Sequence, residues 1–386
     1  MTVTGIICEY NPLHLGHEKQ LNMIRQEHPD GGIVCLMSGN FVQRGKPAIV
    51  NKLVRAEAAL LSGADLVLEL PVTAALSSAE GFASEGVRIL SGFCNRLCFG
   101  AETGSTDALM DTAKALLSPE FTEKLKQQLE KGLSFPAARQ AALEALGQDA
   151  SLLTRPNDIL ATEYCKAILA QGSKMVPMVI QRQGSYHDTA PDSENPSATA
   201  VRELMLSSGA WLDYVPEKAR DHFRSAVLHT RSAGERAILA KLRTMTDEEF
   251  EALPYGSEGL WRKLMHACRK EATLENILTA VKSKRYTRTR LDRMVMCAFL
   301  GLTQNDLAAP APYVRVLALN DRGRQILKDA RETGNFPNIG EKLDHPYQII
   351  ETRCGSLYGL FALQEPDSAD AEQQLRVYYP KQERQI

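Results

Sequence analysis

The chain has 386 residues, a formal net charge of −2, and 44% hydrophobic and 24% charged residues. This is the composition of a soluble globular protein with room for two domains or three small ones. The near-neutral balance excludes a uniformly basic nucleic-acid coat, so any RNA surface must be a local patch. With no apolar run long enough to span a bilayer and no signal-peptide pattern, the expected compartment is the cytoplasm.

In chain order, short apolar runs at 2–8, 32–37, 65–70, 96–99 and 175–181 read as strands. Helical patterns at 18–27, 52–62, 79–90, 107–117 and 158–170 lie between them, and 119–147 reads as extra helices inserted before the last strand. This alternation predicts an α/β fold with a doubly wound parallel sheet, in which ligands bind beyond the carboxyl ends of the strands. Eight cysteines are scattered along the chain. Only Cys94 and Cys98 lie close together, without a second pair or a histidine set, so reduced core thiols are expected and no metal site. After 202 the pattern is helical at 217–242, 247–253, 258–282 and 289–300. Pro310 and Pro312 then break the chain. A strand at 314–319, a turn at 321–323, a helix to 331 and an apolar stretch at 347–351 suggest a small mixed α/β appendage. The polar residues 365–386 are expected to be partly loose. The expected division is 1–206 as a Rossmann-like catalytic domain, 207–308 as a basic helical domain, and 309–386 as the C-terminal region.

Several segments carry chemistry. The first strand runs into Glu9-Tyr10-Asn11-Pro12-Leu13-His14-Leu15-Gly16-His17. Imidazoles three residues apart share one helix face, Gly16 permits close approach, and the helix N-terminus favours phosphate. Ser38-Gly39-Asn40-Phe41-Val42-Gln43-Arg44-Gly45 is a polar loop on the same rim, a candidate to touch substrate or phosphate. Phe99-Gly100-Ala101-Glu102 ends the fourth strand, and its glycine would let a flat base stack on the backbone. Arg155-Pro156-Asn157-Asp158 opens a helix with good capping residues. Arg182 ends the fifth strand and would project toward phosphate or base. The adjacent His187 and Asp188 are not read as an acid–base pair, because neighbours in sequence rarely act on one atom. Ser197-Ala198-Thr199-Ala200-Val201-Arg202 offers hydroxyls, amides and a cation for phosphate oxygens. The densest basic run, with an interleaved aromatic, contains Lys282, Lys284, Arg285, Tyr286, Arg288, Arg290 and Arg293, a pattern suited to RNA.

The strand, the turn and the His14-Leu15-Gly16-His17 motif resemble the nucleotidyltransferase superfamily that includes class I aminoacyl-tRNA synthetases. Ser197 through Arg202 resembles its second signature, which would place Ser197, Thr199 and Arg202 on the triphosphate. Longer segments are more specific. Glu9-Tyr10-Asn11-Pro12, Met37-Ser38-Gly39-Asn40-Phe41-Val42-Gln43-Arg44-Gly45, Asp65-Leu66-Val67-Leu68-Glu69-Leu70-Pro71 and Arg285-Tyr286-Thr287-Arg288-Thr289-Arg290 are similar to the bacterial tRNA(Met) cytidine acetate ligase family over nearly the whole chain. That resemblance implies ATP-dependent activation of acetate to acetyl-adenylate, then acetylation of the wobble cytidine of elongator tRNA(Met) to N4-acetylcytidine. It implies an ATP site of Ile7, Cys8, Glu9, Tyr10, Asn11, Pro12, Leu13, His14, Leu15, Gly16, His17, Glu18, Lys19 and Gln20 with Gly100, Asn157 and Arg182. His14 and His17 would stabilise the phosphates during adenylation. In one departure from the family pattern, Arg182 and Tyr186 stand one residue closer together. Magnesium is expected with the triphosphate. The resemblance implies elongator tRNA(Met), ATP and acetate as partners, and neither a membrane nor a stable protein partner is expected. A small-molecule adenylyl- or cytidylyltransferase of the same superfamily is the alternative, and an RNA-binding protein with a relict nucleotide fold is a third reading.

Overall fold

Strands β1 (Val3–Cys8) and β2 (Gly32–Ser38) are buried along their whole length, as strands covered on both faces must be. They belong to a computed structural model that describes residues 1–182, 196–207, 210–366 and 368–380. A hairpin of two short strands, β3 (Phe41–Val42) and β4 (Lys46–Pro47), follows β2. The strands β5 (Leu66–Leu70), β6 (Arg96–Ala101), β7 (Val176–Gln181) and β8 (Val316–Leu319) complete the main sheet, whose order is β7-β6-β1-β2-β5-β8. All neighbours are parallel except β8, which runs antiparallel to β5. The parallel strands therefore end on one rim, where a doubly wound sheet offers its ligand crevice.

Alternate residues of each strand feed opposite faces. Ile7, Leu36, Leu68 and Leu97 join Phe82 and Val87 of the helix Ala79–Leu90 on one side. Ile6, Cys35, Met37 and Val67 join Leu21 and Ile24 of helix α1 (Leu15–Glu27) and the alanines of helix α2 (Lys52–Leu61) on the other. The inserted helices appear at Pro119–Glu130 and Phe135–Glu144, around a small core of Phe121, Ala142 and Leu143. A further core holds the helices beyond residue 234, with Leu264, Ile277, Leu291, Val295 and Phe299 inside it. Phe41 of the β3–β4 hairpin is buried in that same core, edge-on to Tyr358 at 5.9 Å and Phe361 at 6.0 Å.

Two expectations change. The strand assigned to a C-terminal appendage is β8, which pairs with β5 and shields the edge that β5 would otherwise expose. The tail is also tied down. Tyr378 exchanges backbone hydrogen bonds with Leu317 and Leu319 at 2.9 and 3.1 Å, and a short helix at Ala371–Gln374 brings in Glu372. That carboxylate bonds to buried Lys52, whose ammonium also reaches both Glu69 oxygens at 2.8 Å. A polar segment can be ordered when its one inserted charge meets a buried partner. Only 381–386 and residue 367 of the expected loose stretch fall outside the described residues.

Candidate nucleotide-binding site

The chain leaves β1 through Tyr10, whose φ of +44° turns it sharply, and through a cis Asn11–Pro12 peptide. Helix α1 starts at Leu15, three residues before the expected 18, because His14 caps it. His14 Nδ1 accepts the Gly16 N–H at 3.2 Å, and His17 Nδ1 accepts the His14 N–H at 3.3 Å, a reciprocal capping box made by two histidines. The two rings stack 3.7 Å apart at 26°. With Nδ1 accepting in each neutral ring, the proton sits on Nε2, so both imidazoles carry one donor each. A Cβ at Gly16 would meet the His14 ring at 3.1 Å, so the glycine makes room for that ring.

Charge reinforces this state. Burial, then the positive charges of Arg182 and Arg202, push the His14 imidazole down to about 3. Burial, His14 and Arg182 hold His17 well below its usual value as well. Both rings are therefore neutral donors at physiological pH. An anion arriving beside them would find donors that carry no solvated charge of their own, next to two guanidinium groups.

One guanidinium comes from a neighbouring strand end and the other from a helix. Arg182, just past β7, donates its backbone N–H to Ala101 at 2.8 Å. Its side chain lies over Gly100, where a Cβ would stand 3.1 Å from Arg182 Cγ. The glycine thus gives passage to this arginine, which is the close approach the structure contains at that position. Arg202 sits in the helix Ala198–Ser207 and bonds to the Asn11 carbonyl at 2.5 Å and to Thr199 Oγ1 at 2.9 Å. Ser197 Oγ accepts the Ala200 N–H at 3.1 Å, capping that helix. The two signature segments, almost two hundred residues apart, are thereby joined directly.

Other candidates take different places. The side chains of Ile7, Cys8, Tyr10, Pro12 and Leu13 are buried, so the turn can offer a ligand mainly backbone there. Asn11 Oδ1 accepts the Ile49 N–H at 2.7 Å. Leu15, Glu18 and Gln20 are partly exposed and Lys19 is exposed, with Gln20 reaching Cys98 Sγ at 3.5 Å. Asn157 donates from its amide to Glu102 Oε1 at 2.7 Å, and Glu102 also accepts the Asp158 N–H at 2.7 Å. Burial opposes the Glu102 charge, but these bonds outweigh it and keep the carboxyl below its usual range. Asn157 therefore belongs to the rim through Glu102, two residues past Gly100. Tyr186, His187 and Asp188 lie outside the described residues.

Arg55 is the site residue that sequence reasoning missed. Fully buried in α2, it donates to the carbonyls of Glu9 at 2.6 Å, Ser38 at 3.0 Å, Val50 at 3.0 Å and Gly39. It ties the turn after β1 to the loop after β2. An arginine flanked by Val54 and Ala56 was the available signal, since a charge on an apolar helix is either on its wet face or satisfied inside. Gln43 of the same loop donates its N–H to Glu9 Oε1 at 2.7 Å, so the loop after β2 is bound to the turn.

With this geometry in hand, comparison with known proteins is specific. Residues 1–373 match the family described as HIGH Nucleotidyl Transferase. The tRNA(Met) cytidine acetate ligase of Clostridium novyi (strain NT) is 39% identical over 356 residues, covering 87% of this chain and 89% of that protein. The chain belongs to the tRNA(Met) cytidine acetate ligase family. Two crystal structures of Thermotoga maritima TmcAL share its fold at 28% identity. The apo form has a TM-score of 0.88, with 98% of this chain and 100% of that chain covered. The form bound with alpha-thio ATP has a TM-score of 0.85, with 98% and 99% covered.

For a member of the acetate ligase family, the basic run is the other region of interest, and its charges are unevenly available. Arg288 makes a two-pronged bridge to Glu275 at 2.7 and 2.6 Å and approaches Asp292 at 3.3 Å. Arg290 donates to the Tyr255 carbonyl at 2.6 Å and lies over the Tyr286 ring at 5.2 Å. Arg293 is buried over the Tyr255 ring at 5.0 Å. Lys282, Lys284 and Arg285 are exposed, with Arg285 reaching Glu258 at 2.5 Å. The solvent-facing cations are those at the start of the run, ahead of the helix Arg288–Leu300.

Proposed function

We propose that this chain is an ATP-dependent ligase that activates acetate as acetyl-adenylate and acetylates the wobble cytidine of elongator tRNA(Met), in the cytoplasm. The observation that carries the reading is the stacked, neutral His14–His17 pair, its Nδ1 atoms taken by backbone amides, with Arg182 past β7 and Arg202 in its helix beside it. An acetate oxygen attacks the α-phosphorus of ATP, the bond to the bridging oxygen breaks, and pyrophosphate leaves. Negative charge moves onto the leaving phosphates, and fixed donors placed there lower the barrier. The cytidine N4 then attacks the acetyl carbon, AMP departs, and N4 sheds a proton. His14, His17, Arg182 and Arg202 bind and neutralise the phosphates. Ser197, Thr199 and the helix amides beside them supply further donors.

Among the described residues no group of three or more His, Cys, Asp or Glu side chains could hold a metal. Magnesium is accordingly proposed to enter as the ATP complex, held by phosphate oxygens and water, which suits its preferred ligands. For RNA we propose Lys282, Lys284 and Arg285 as backbone contacts, with Tyr286 beside them, while Arg288, Arg290 and Arg293 shape the segment. The names of the relatives favour this ligase over a small-molecule adenylyl- or cytidylyltransferase. The deciding experiment incubates tRNA with the protein, ATP, magnesium and isotopically labelled acetate, followed by nucleoside mass spectrometry. Labelled N4-acetylcytidine confined to elongator tRNA(Met) is expected. Its absence, with ATP still bound, would overturn the reading in favour of the small-molecule enzyme.

A further inference from the structure

The β3–β4 hairpin touches both regions that the proposed function joins. On one side Gln43 bonds to Glu9 of the turn after β1. On the other, Gly45, at φ +70°, lies so close to the backbone of Asp292 and Arg293 that a Cβ there would come within 2.4 to 2.6 Å of it. The hairpin is thus clamped between the nucleotide turn and the N-terminal part of the helix Arg288–Leu300.

At the start of β4, Lys46 is exposed, and among the described residues its ammonium has no hydrogen bond or ion pair. The charges that act most strongly on its ammonium are Arg231, Asp292, Arg202 and Arg44, in that order. Three of these four are cations, and the single anion is already engaged by Arg231 at 2.5 Å and Arg288 at 3.3 Å. Partial desolvation of the ammonium, followed by Arg231, lowers Lys46 from its usual range. Like charges gathered this way repel one another and invite an anion from outside. Two anions come within reach of this place, the triphosphate and the RNA backbone. The triphosphate already has Arg182, Arg202, both histidines and two helix N-termini. Lys46 instead is exposed on the hairpin where Gly45 packs against the backbone of Asp292 and Arg293, at the start of the basic helical region.

We propose that Lys46, with Arg44 beside it, grips a backbone phosphate of the RNA next to the cytidine being modified, bridging the nucleotide site and the basic run. This rests on the RNA-acetylating reading above. A phosphate contact positions the chain without reading its bases, so it would set where the cytidine amine lies relative to the adenylate and leave sequence choice to other contacts.

The test compares Lys46→Gln and Lys46→Arg with the parent protein in two assays. One is exchange of labelled pyrophosphate into ATP with acetate present, which needs no RNA. The other is RNA acetylation, together with RNA binding across a salt series. For Lys46→Gln the expected loss in kcat/KM for tRNA is about tenfold or more, as for one charge-assisted contact. The slope of log affinity against log salt should fall by about 0.7 to 0.9, the share of one phosphate. Lys46→Arg should restore both. An equal loss in the exchange assay, or a raised KM for ATP, would put Lys46 on the triphosphate and overturn the proposal. An unchanged salt slope would also overturn it. If the parent protein acetylates no tRNA, the ligase reading fails by itself, and the salt slope of RNA binding still judges Lys46.

Discussion

The turn after β1 and the basic run ahead of the helix Arg288–Leu300 use their polar groups in opposite directions. In the turn, backbone amides occupy the inner nitrogens of His14 and His17, leaving the outer nitrogens for a ligand. In the run, Arg288 is bridged at the surface to Glu275 and approaches Asp292, while Arg290 and Arg293 turn to the Tyr255 carbonyl and the Tyr255 ring. Two neutral rings therefore offer more to an anion than three formal charges that are already paired. The density of charged letters in a sequence does not measure the charge a partner can reach, because a bridged guanidinium must give up its partner before it can bind another.

The strongest way to break this comparison is at the histidines. His14→Ala or His17→Ala should cut adenylate formation by about 10²–10³, the usual cost of losing a donor to developing charge, with RNA affinity retained. Unchanged pyrophosphate exchange in both variants would remove their assigned role. Arg293→Ala should act on the fold, costing about 1–3 kcal/mol in denaturant unfolding through lost packing and stacking. The salt slope of its RNA binding should stay at the parent value, and a smaller slope would mean that Arg293 reaches phosphate after all.

A third measurement concerns pH. His14 takes up a proton near 6.5 in the unfolded chain but only near 3 in the folded protein. Its neutral form thus contributes stability in full above 6.5, and the contribution is lost as pH falls from there toward 3. The stability advantage of the parent over His14→Ala should shrink by about 1.4 kcal/mol per pH unit within that window. A difference independent of pH between 6.5 and 5.5 would show that the ring charges freely. The smallest effect belongs to the exposed cations. Lys284→Ala with Arg285→Ala should weaken RNA binding about three- to tenfold and lower its salt slope by about 1.4 to 1.8, two phosphate contacts. No loss of thermal stability is expected, since surface changes of this kind usually fall within about 0.5 kcal/mol.

Much of the sheet was legible because its strands are apolar runs of the right length, separated by helices. β1, β2, β5, β6 and β7 all lie where those runs predicted. β8 was visible as a strand but not as a sheet member, because four apolar residues carry no mark of which edge they will join. Helix α1 was misplaced by a turn because histidine is an unusual cap. Arg55 escaped notice since three of its four carbonyl partners, those of Glu9, Ser38 and Gly39, come from segments that only folding brings near. The same holds for Lys46, whose neighbours Arg202 and Arg231 are remote in sequence.

By itself the sequence determined the layered α/β architecture, the family, and the residue types proposed to meet phosphate, because strand and helix periodicity and short motifs are local properties of the chain. Tertiary structure decided which way those residues point and which charges remain available. Orientation depends on capping geometry at one end of α1, and availability depends on partners such as Glu275 and Asp292 that arrive from other elements. Burial then set the protonation of His14, since the cost of charging a ring is a property of its surroundings and not of the ring.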